Sequence, residues 1–328
     1  MRESGVRFGP AIRLAVALLL ALLLAGCGSQ GGKEERAVRQ PVEPGKLKLG
    51  YSGSSALIGL QKRGDLEARL AALPQAVAVE WLRFDDDASL FRAIEDGRVD
   101  IGSVGDAVPA FLHREEAPLV YLAAEPANPS AYAIIAPLDS SIYAAADLKG
   151  KRVAYANASN EHLLLLEALD SAGLSAADVK PVDLAPADTF RSVEGRKADA
   201  WAIGEPELSR TEPLGVRIIA TGELSPASRD IYVATPESME GREELFGQAL
   251  DAIGAYDDWL NEQYHDAAEL LYQETGILHA RWLSAFERKA YGTAPMLESI
   301  VREQQLIADT VRRLGGRQES IDVKRFIK

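Results

Sequence analysis

The chain has 328 residues, a formal net charge of −13, 47 % hydrophobic and 26 % charged residues. This is the make-up of a soluble globular protein long enough for two lobes, and its negative surface excludes nucleic acid and anionic lipid as binding partners. The charge is uneven: Arg2, Arg7 and Arg13 against Glu3 give residues 1–26 a net +2, which leaves −15 on the remainder.

Leu14 to Leu24 is an unbroken apolar run behind those arginines. It is too short to span a bilayer comfortably and reads as the core of a secretory signal. It ends in Leu24-Ala25-Gly26-Cys27, which resembles the bacterial lipoprotein lipobox. That resemblance implies cleavage before Cys27 and lipidation of its thiol and new amino terminus. The alternatives are an uncleaved anchor or a plain secretory signal. Cys27 is the only cysteine, which excludes an internal disulfide and a cysteine metal cluster. Gly28 to Gly45 is polar and rich in Gly, Gln, Glu, Lys and Pro, the composition of a flexible tether.

Leu47 to Tyr51 alternates as a strand, and Ser52-Gly53-Ser54-Ser55 is a turn. Ala56 to Leu73 reads as helix broken at Gly64, and Val77 to Leu82 as a second strand. Asp85-Asp86-Asp87 precedes a helix carrying Leu90, Phe91 and Ile94, stopped by Gly97. Three adjacent acids can suggest calcium, but capping and a favourable charge at the helix start explain them more simply. Val99 to Val104 is a strand that runs into Gly105-Asp106 and a helix with Pro109 in its first turn. Leu119 to Ala124 is the next strand, and Ala131 to Ala136 is a short apolar run.

The second half repeats the plan. Asp147 to Tyr155 is a turn and then a strand, Ala156 to Glu161 a turn and cap, and His162 to Ala172 a helix. Val179–Leu184 and Ala198–Ile203 are strands flanking a helix over Asp188–Glu194, and Gly204-Glu205 turns into another helix. Val216–Ala220 and Ile231–Ala234 are the last strands, and Glu240 to Gly315 reads as mostly helix, broken near Gly276 and at Gly292 to Pro295. The segment Phe91–Ile101 (FRAIEDGRVDI) matches Phe190–Ala200 (FRSVEGRKADA), and Leu49–Ser55 resembles Val153–Ser159.

Strands alternating with helices predict an α/β fold with parallel sheets covered on both faces. Two such lobes, with strand ends facing each other, would place four turns at one cleft: Ser52–Ser55, Ser103–Asp106, Asn157–Asn160 and Gly204–Glu205. The expected division is 1–26 signal peptide, 27–46 tether, 47–132 with 233–328 as lobe 1, and 133–232 as lobe 2. The joins fall near Ala131–Ala136 and Ser228–Ala234, two crossings that permit a hinge.

Val104-Gly105-Asp106 before Pro109, Leu119-Val120-Tyr121, Asp147–Ala154, Ser159 with His162, Pro186-Ala187-Asp188, and Asp199–Ile203 ahead of Pro206 together resemble one family. It is the substrate-binding proteins of ABC importers for aliphatic sulfonates, taurine and nitrate. The resemblance implies a two-lobed periplasmic-binding fold (type II) with two hinge crossovers and a helical C-terminal segment. It also implies capture of a small organic anion in the cleft, without a cofactor or metal, and delivery to a membrane permease. The chain departs from the family at Ser52, Ala158 and Gly204; the last removes a side chain from the pocket wall and would admit a larger or differently shaped ligand. Nitrate or a thiamine-precursor pyrimidine is an alternative ligand, and an extracytoplasmic sensor or adaptor an alternative role.

Helix N-termini and hydroxyls bind anions without formal positive charge. Ser52, Ser54, Ser103, Gly105, Ser159 and Asn160 are therefore the candidate donors, against the simpler reading that the serines only cap helices. Asp106 would accept from a ligand amine or cap its helix. Trp201 would stack on the ligand or fill the core. His162 would donate to the ligand or stay at the surface, and Glu205 would face the cleft or favour a helix start. There is no nucleophile elbow, phosphate loop or His-Glu-x-x-His, and the four histidines are scattered, so a binding protein rather than an enzyme is expected. The expected setting is extracytoplasmic, as a monomer held at the cell membrane by the lipid on Cys27.

Overall fold

The computed structural model describes residues 43, 45–53, 55–225 and 228–327. The expected signal segment, Cys27, most of the expected tether and Ser54 lie outside the described residues. In chain order the first part comprises β1 (Lys46–Ser52), α1 (Leu57–Arg63), α2 (Asp65–Ala71), β2 (Ala78–Phe84), α3 (Asp87–Glu95), β3 (Ile101–Gly105), α4 (Val108–Leu112) and β4 (Val120–Ala124). The middle comprises β5 (Tyr132–Pro137), β6 (Arg152–Tyr155), α5 (Asn160–Ser171), β7 (Lys180–Asp183), α6 (Thr189–Glu194), β8 (Ala200–Gly204), α7 (Glu207–Thr211) and β9 (Val216–Thr221). The last part comprises β10 (Asp230–Ala234), α8 (Pro236–Met239), α9 (Glu243–Glu262), α10 (Tyr264–Thr275), α11 (His279–Arg288), β11 (Ala294–Pro295) and α12 (Glu298–Arg313).

Two sheets result, ordered β11-β4-β10-β3-β1-β2 and β7-β6-β8-β5-β9. In the first, β1 is parallel to β2 and β3, while β10 runs antiparallel between β3 and β4. In the second, β6 is parallel to β7 and β8, while β5 runs antiparallel between β8 and β9. Apart from the short edge strand β11, which runs antiparallel to β4, the two sheets therefore share one topology, each with a reversed strand in the same place. The chain crosses between them twice, over 125–131 and 222–229. Both crossings come a few residues earlier than expected, because 132–136 and 230–234 are themselves paired strands. The boundary expected between 232 and 233 falls inside β10, all of which pairs within the first sheet.

Local chemistry explains the elements. Asp86 caps α3 by accepting from the Ser89 N–H at 2.7 Å, and the helix buries Leu90, Phe91, Ala93 and Ile94. α3 lies so close to the first sheet that only glycine fits beneath it: a Cβ on Gly50 or Gly102 would come within 2.5 Å of Leu90 or 2.4 Å of Ile94. Alternation along β10 and β4 splits the first lobe's core in two. Tyr232, Ala234, Val120 and Ala123 pack with α1, α2 and α9 to α11 on one face. Ile231, Val233, Tyr121 and Ala124 pack with α3, α4 and α12 on the other. α12 is held by one stripe, Ile300, Val301, Ile307, Ala308 and Val311. The second sheet is likewise covered on both faces, by α5 on one and by α6 and α7 on the other. The C-terminal helices thus belong to the first lobe, and they bring α11 to the hinge.

Candidate functional site

The strand ends of both sheets meet at one cavity of about 140 Å³. All four turns expected there reach it: Ser52, Gly53 and Ser55; Ser103 and Gly105; Asn157, Ser159 and Asn160; Gly204 and Glu205.

On the first lobe's wall, Asp86 caps α3 and leaves the side chain of Asp87 to turn into the cleft. The Ser52 hydroxyl donates to one Asp87 oxygen, and the Gly105 N–H donates to the other at 2.8 Å. Burial pushes the Asp87 carboxyl up to about 7, with the charge of Asp230 adding and the two hydrogen bonds opposing.

On the second lobe's wall, Ser159 caps α5: its oxygen accepts from the His162 N–H at 3.2 Å, and its hydroxyl donates to the Ala156 carbonyl at 2.8 Å. Asn160 spans the lobes. Its Oδ1 accepts from the Ala107 N–H at 2.9 Å, and its Nδ2 donates to the Tyr132 hydroxyl and the Arg229 carbonyl, each at 3.2 Å. Glycine at 105 makes this possible, since a Cβ there would lie 2.8 Å from Asn160 Oδ1. Gly204 does not enlarge the pocket as expected. A Cβ there would lie 2.8 Å from Glu161 Oε1 and 3.0 Å from the Tyr132 ring, so those two groups already fill the space. Glu205 lines the cleft, and its carboxylate accepts from the Ser209 N–H at 3.1 Å, the Ser209 hydroxyl at 3.0 Å and Arg288 at 2.8 Å.

The floor is at the hinge. Lys289, just past α11, lies 2.7 Å from Asp230 at the start of β10 and 3.2 Å from Glu125 at the end of β4. Burial disfavours the Lys289 charge, but Asp230 and Glu125 outweigh it and hold the ammonium protonated. Burial also pushes the carboxyls of Glu125, Glu161 and Asp257 up, and all three residues line the cavity.

Three expected residues lie elsewhere. Asp106 is buried behind the turn, neither in the cleft nor capping α4. Its N–H donates to the Arg229 carbonyl at 3.0 Å, and Oδ2 accepts from Gln304 at 3.3 Å. Extended β3 alternates its faces, so a turn whose Gly105 faces the ligand aims the next side chain into the core. Trp201 is fully buried within the second lobe, its indole N–H donating to Ser192 at 2.9 Å. His162 is stacked between Phe111 and Tyr155, with ring centroids at 4.7 and 4.6 Å. Its Nδ1 accepts from the Ala158 N–H at 3.1 Å, and burial holds its pKa down at about 4, so it has no charge to offer.

Sequence reasoning did not single out Asp87, Glu161, Tyr132, Asp230 or Lys289. Asp87 was absorbed into a capping triplet and Glu161 into a helix start; both carried a readable signal, an acid beside a turn already expected at the cleft. Lys289 carried none, since a helical tail gives no hint that one lysine reaches the hinge.

The family model described as NMT1/THI5 like matches residues 75–263. The chain is 32 % identical over 243 residues to an aliphatic sulfonates-binding protein of Escherichia coli (strain K12), covering 74 % of this chain and 75 % of that one. The alkanesulfonate-binding protein SsuA from Xanthomonas axonopodis pv. citri, bound to MOPS, superposes with a TM-score of 0.80 at 27 % identity, over 87 % of this chain and 99 % of that one. The periplasmic aliphatic sulphonate binding protein SsuA from Escherichia coli gives 0.75 at 28 %, over 87 % and 92 %. The fold and cleft are those of a two-lobed protein of the periplasmic-binding type. The chain belongs to the NMT1/THI5-like family.

Proposed function

We propose that this protein is the extracytoplasmic solute-binding component of an ABC importer and takes a small sulfonate-type solute into the cleft between its lobes. The observation that carries the reading is the 32 % identity to a sulfonates-binding protein over three quarters of both chains, joined to a cavity walled by the strand ends of both sheets. Ligands in open α/β sheets bind at those ends. The two hinge segments let the lobes close on the solute and present a closed form to a permease. Ser52, Ser103, Gly105, Ser159, Asn160 and Glu205 line the cavity and are the proposed contacts among the residues expected from sequence. In this reading residues 1–26 are removed, Cys27 carries the lipid and 27–46 are the tether. The protein acts as a monomer and turns nothing over.

Isothermal titration with ethanesulfonate, taurine and MOPS tests the reading. At least one is expected to bind with Kd of about 10 μM or tighter, raising Tm by linkage. No heat from any sulfonate would overturn the ligand class, and release of sulfite above background would overturn the non-enzymatic role.

A further inference from the structure

The charges in the cleft do not suit a plain anion. Lys289 is the one lysine among the lining residues described, and none of them is an arginine. Its ammonium is already committed to Asp230 at 2.7 Å and Glu125 at 3.2 Å. Two of the first lobe's expected anion donors are committed too: the Ser52 hydroxyl and the Gly105 N–H both point at Asp87, a carboxylate of the chain itself. On the opposite wall Asn160 and the Ser159 hydroxyl are spent on Ala107, Tyr132, Arg229 and Ala156. Glu161 stands beside them, in the space that a side chain at 204 would otherwise fill.

Acid therefore faces acid across the cavity. Burial raises both carboxyls; the charges of Asp230 and Glu161 raise Asp87 further, and the charge of Asp230 raises Glu161 further, with Lys289 opposing only at Glu161. A ligand with only a sulfonate would add a further negative charge to this group. A zwitterion brings its own positive charge, needs no protein cation to balance its sulfonate, and relieves the repulsion.

We infer that the solute carries an ammonium group beside its sulfonate, and that Asp87 and Glu161, from opposite lobes, are the residues that select it. This rests on the sulfonate-binding reading above and narrows it. Because the two carboxylates belong to different lobes, one ammonium between them also draws the lobes together, which ties recognition to closure.

The test is a matched pair differing only in the amine, 2-aminoethanesulfonate against ethanesulfonate, titrated into the full chain in detergent at pH 8. The four-carbon pair, 4-aminobutanesulfonate against butanesulfonate, repeats the comparison at another length. The amino compound of at least one pair is expected to bind at least tenfold tighter. Its affinity should fall severalfold between pH 8 and pH 6 as Asp87 takes up a proton. D87N and E161Q should each reduce the preference by tenfold or more, and D87N should flatten the pH dependence; circular dichroism checks that both are folded. Equal or tighter binding of the plain sulfonates in both pairs would overturn the inference and leave sulfonate binding standing. Silence from all four would overturn both.

Discussion

The two lobes are the same design carried out with different side chains. Residues ninety-nine apart in sequence occupy matching places in the two sheets. Asp100 and Asp199 do one job: each accepts the N–H of a neighbouring strand, Lys48 and Arg152 respectively, at 2.8 Å, and each returns its own N–H to that residue's carbonyl. Gly105 and Gly204 both end a strand where a partner side chain must pass. The lobes part company where the helices begin. The first lobe has Asp87 there and the second has Pro186, so an acid enters the cleft from one side at the start of α3, while the other side's acids come from elsewhere, Glu161 on α5 and Glu205 and Glu207 after β8. The lesson is that a repeated backbone plan sets where the cleft is, while single non-repeated residues set its charge.

The largest expected effect separates Trp201 from its counterpart Gly102. In the first lobe α3 lies against Gly102, whereas in the second the matching strand position carries a buried indole. Trp201→Ala should cost about 3–5 kcal/mol in chemical denaturation by opening a cavity. Gly102→Ala should cost about 1–3 kcal/mol, because the new methyl meets Ile94 at 2.4 Å. A Trp201 variant that kept its stability but lost ligand affinity would break this comparison, since it would return the indole to the cleft.

Next comes the aspartate pair. The Asp100 side chain is 8 % exposed and also bonded by Arg242, whereas Asp199 is 36 % exposed beside Arg152. Asp100→Ala should therefore cost about 3 kcal/mol, as a buried pair loses one partner. Asp199→Ala should cost about 1 kcal/mol, as a solvated one does. Equal losses in urea denaturation would show that burial is not what distinguishes the lobes here.

The effect smallest at neutral pH concerns His162, which joins the lobes through its stack with Phe111. Its pKa is held at about 4 in the fold against 6.5 in the free side chain. Between those values the unfolded chain binds a proton that the folded one does not, so stability is full above about pH 6.5 and falls as the pH drops toward 4. His162→Phe keeps the stack and removes this loss, about 2–3 kcal/mol by pH 4.5. Tm measured from pH 7 to pH 4.5 should fall less in the variant; an equal fall would place the acid sensitivity elsewhere.

The sequence alone determined the element order, the doubled plan, the two crossings and the four turns at the cleft. All of these follow from local rules: alternation, caps, glycine stops and strand-to-helix turns. It could not decide which way a side chain leaves a turn, and so Asp106, Trp201 and His162 were expected at a cleft that they do not line. It could not see Lys289 at all, because that residue meets Glu125 and Asp230 only after α9, α10 and α11 have packed on the first sheet. Nor could it see that two donors of the first lobe, the Ser52 hydroxyl and the Gly105 N–H, would be taken by Asp87. Charge in a cleft is a sum over residues distant in the chain, and only packing brings the members of that sum together.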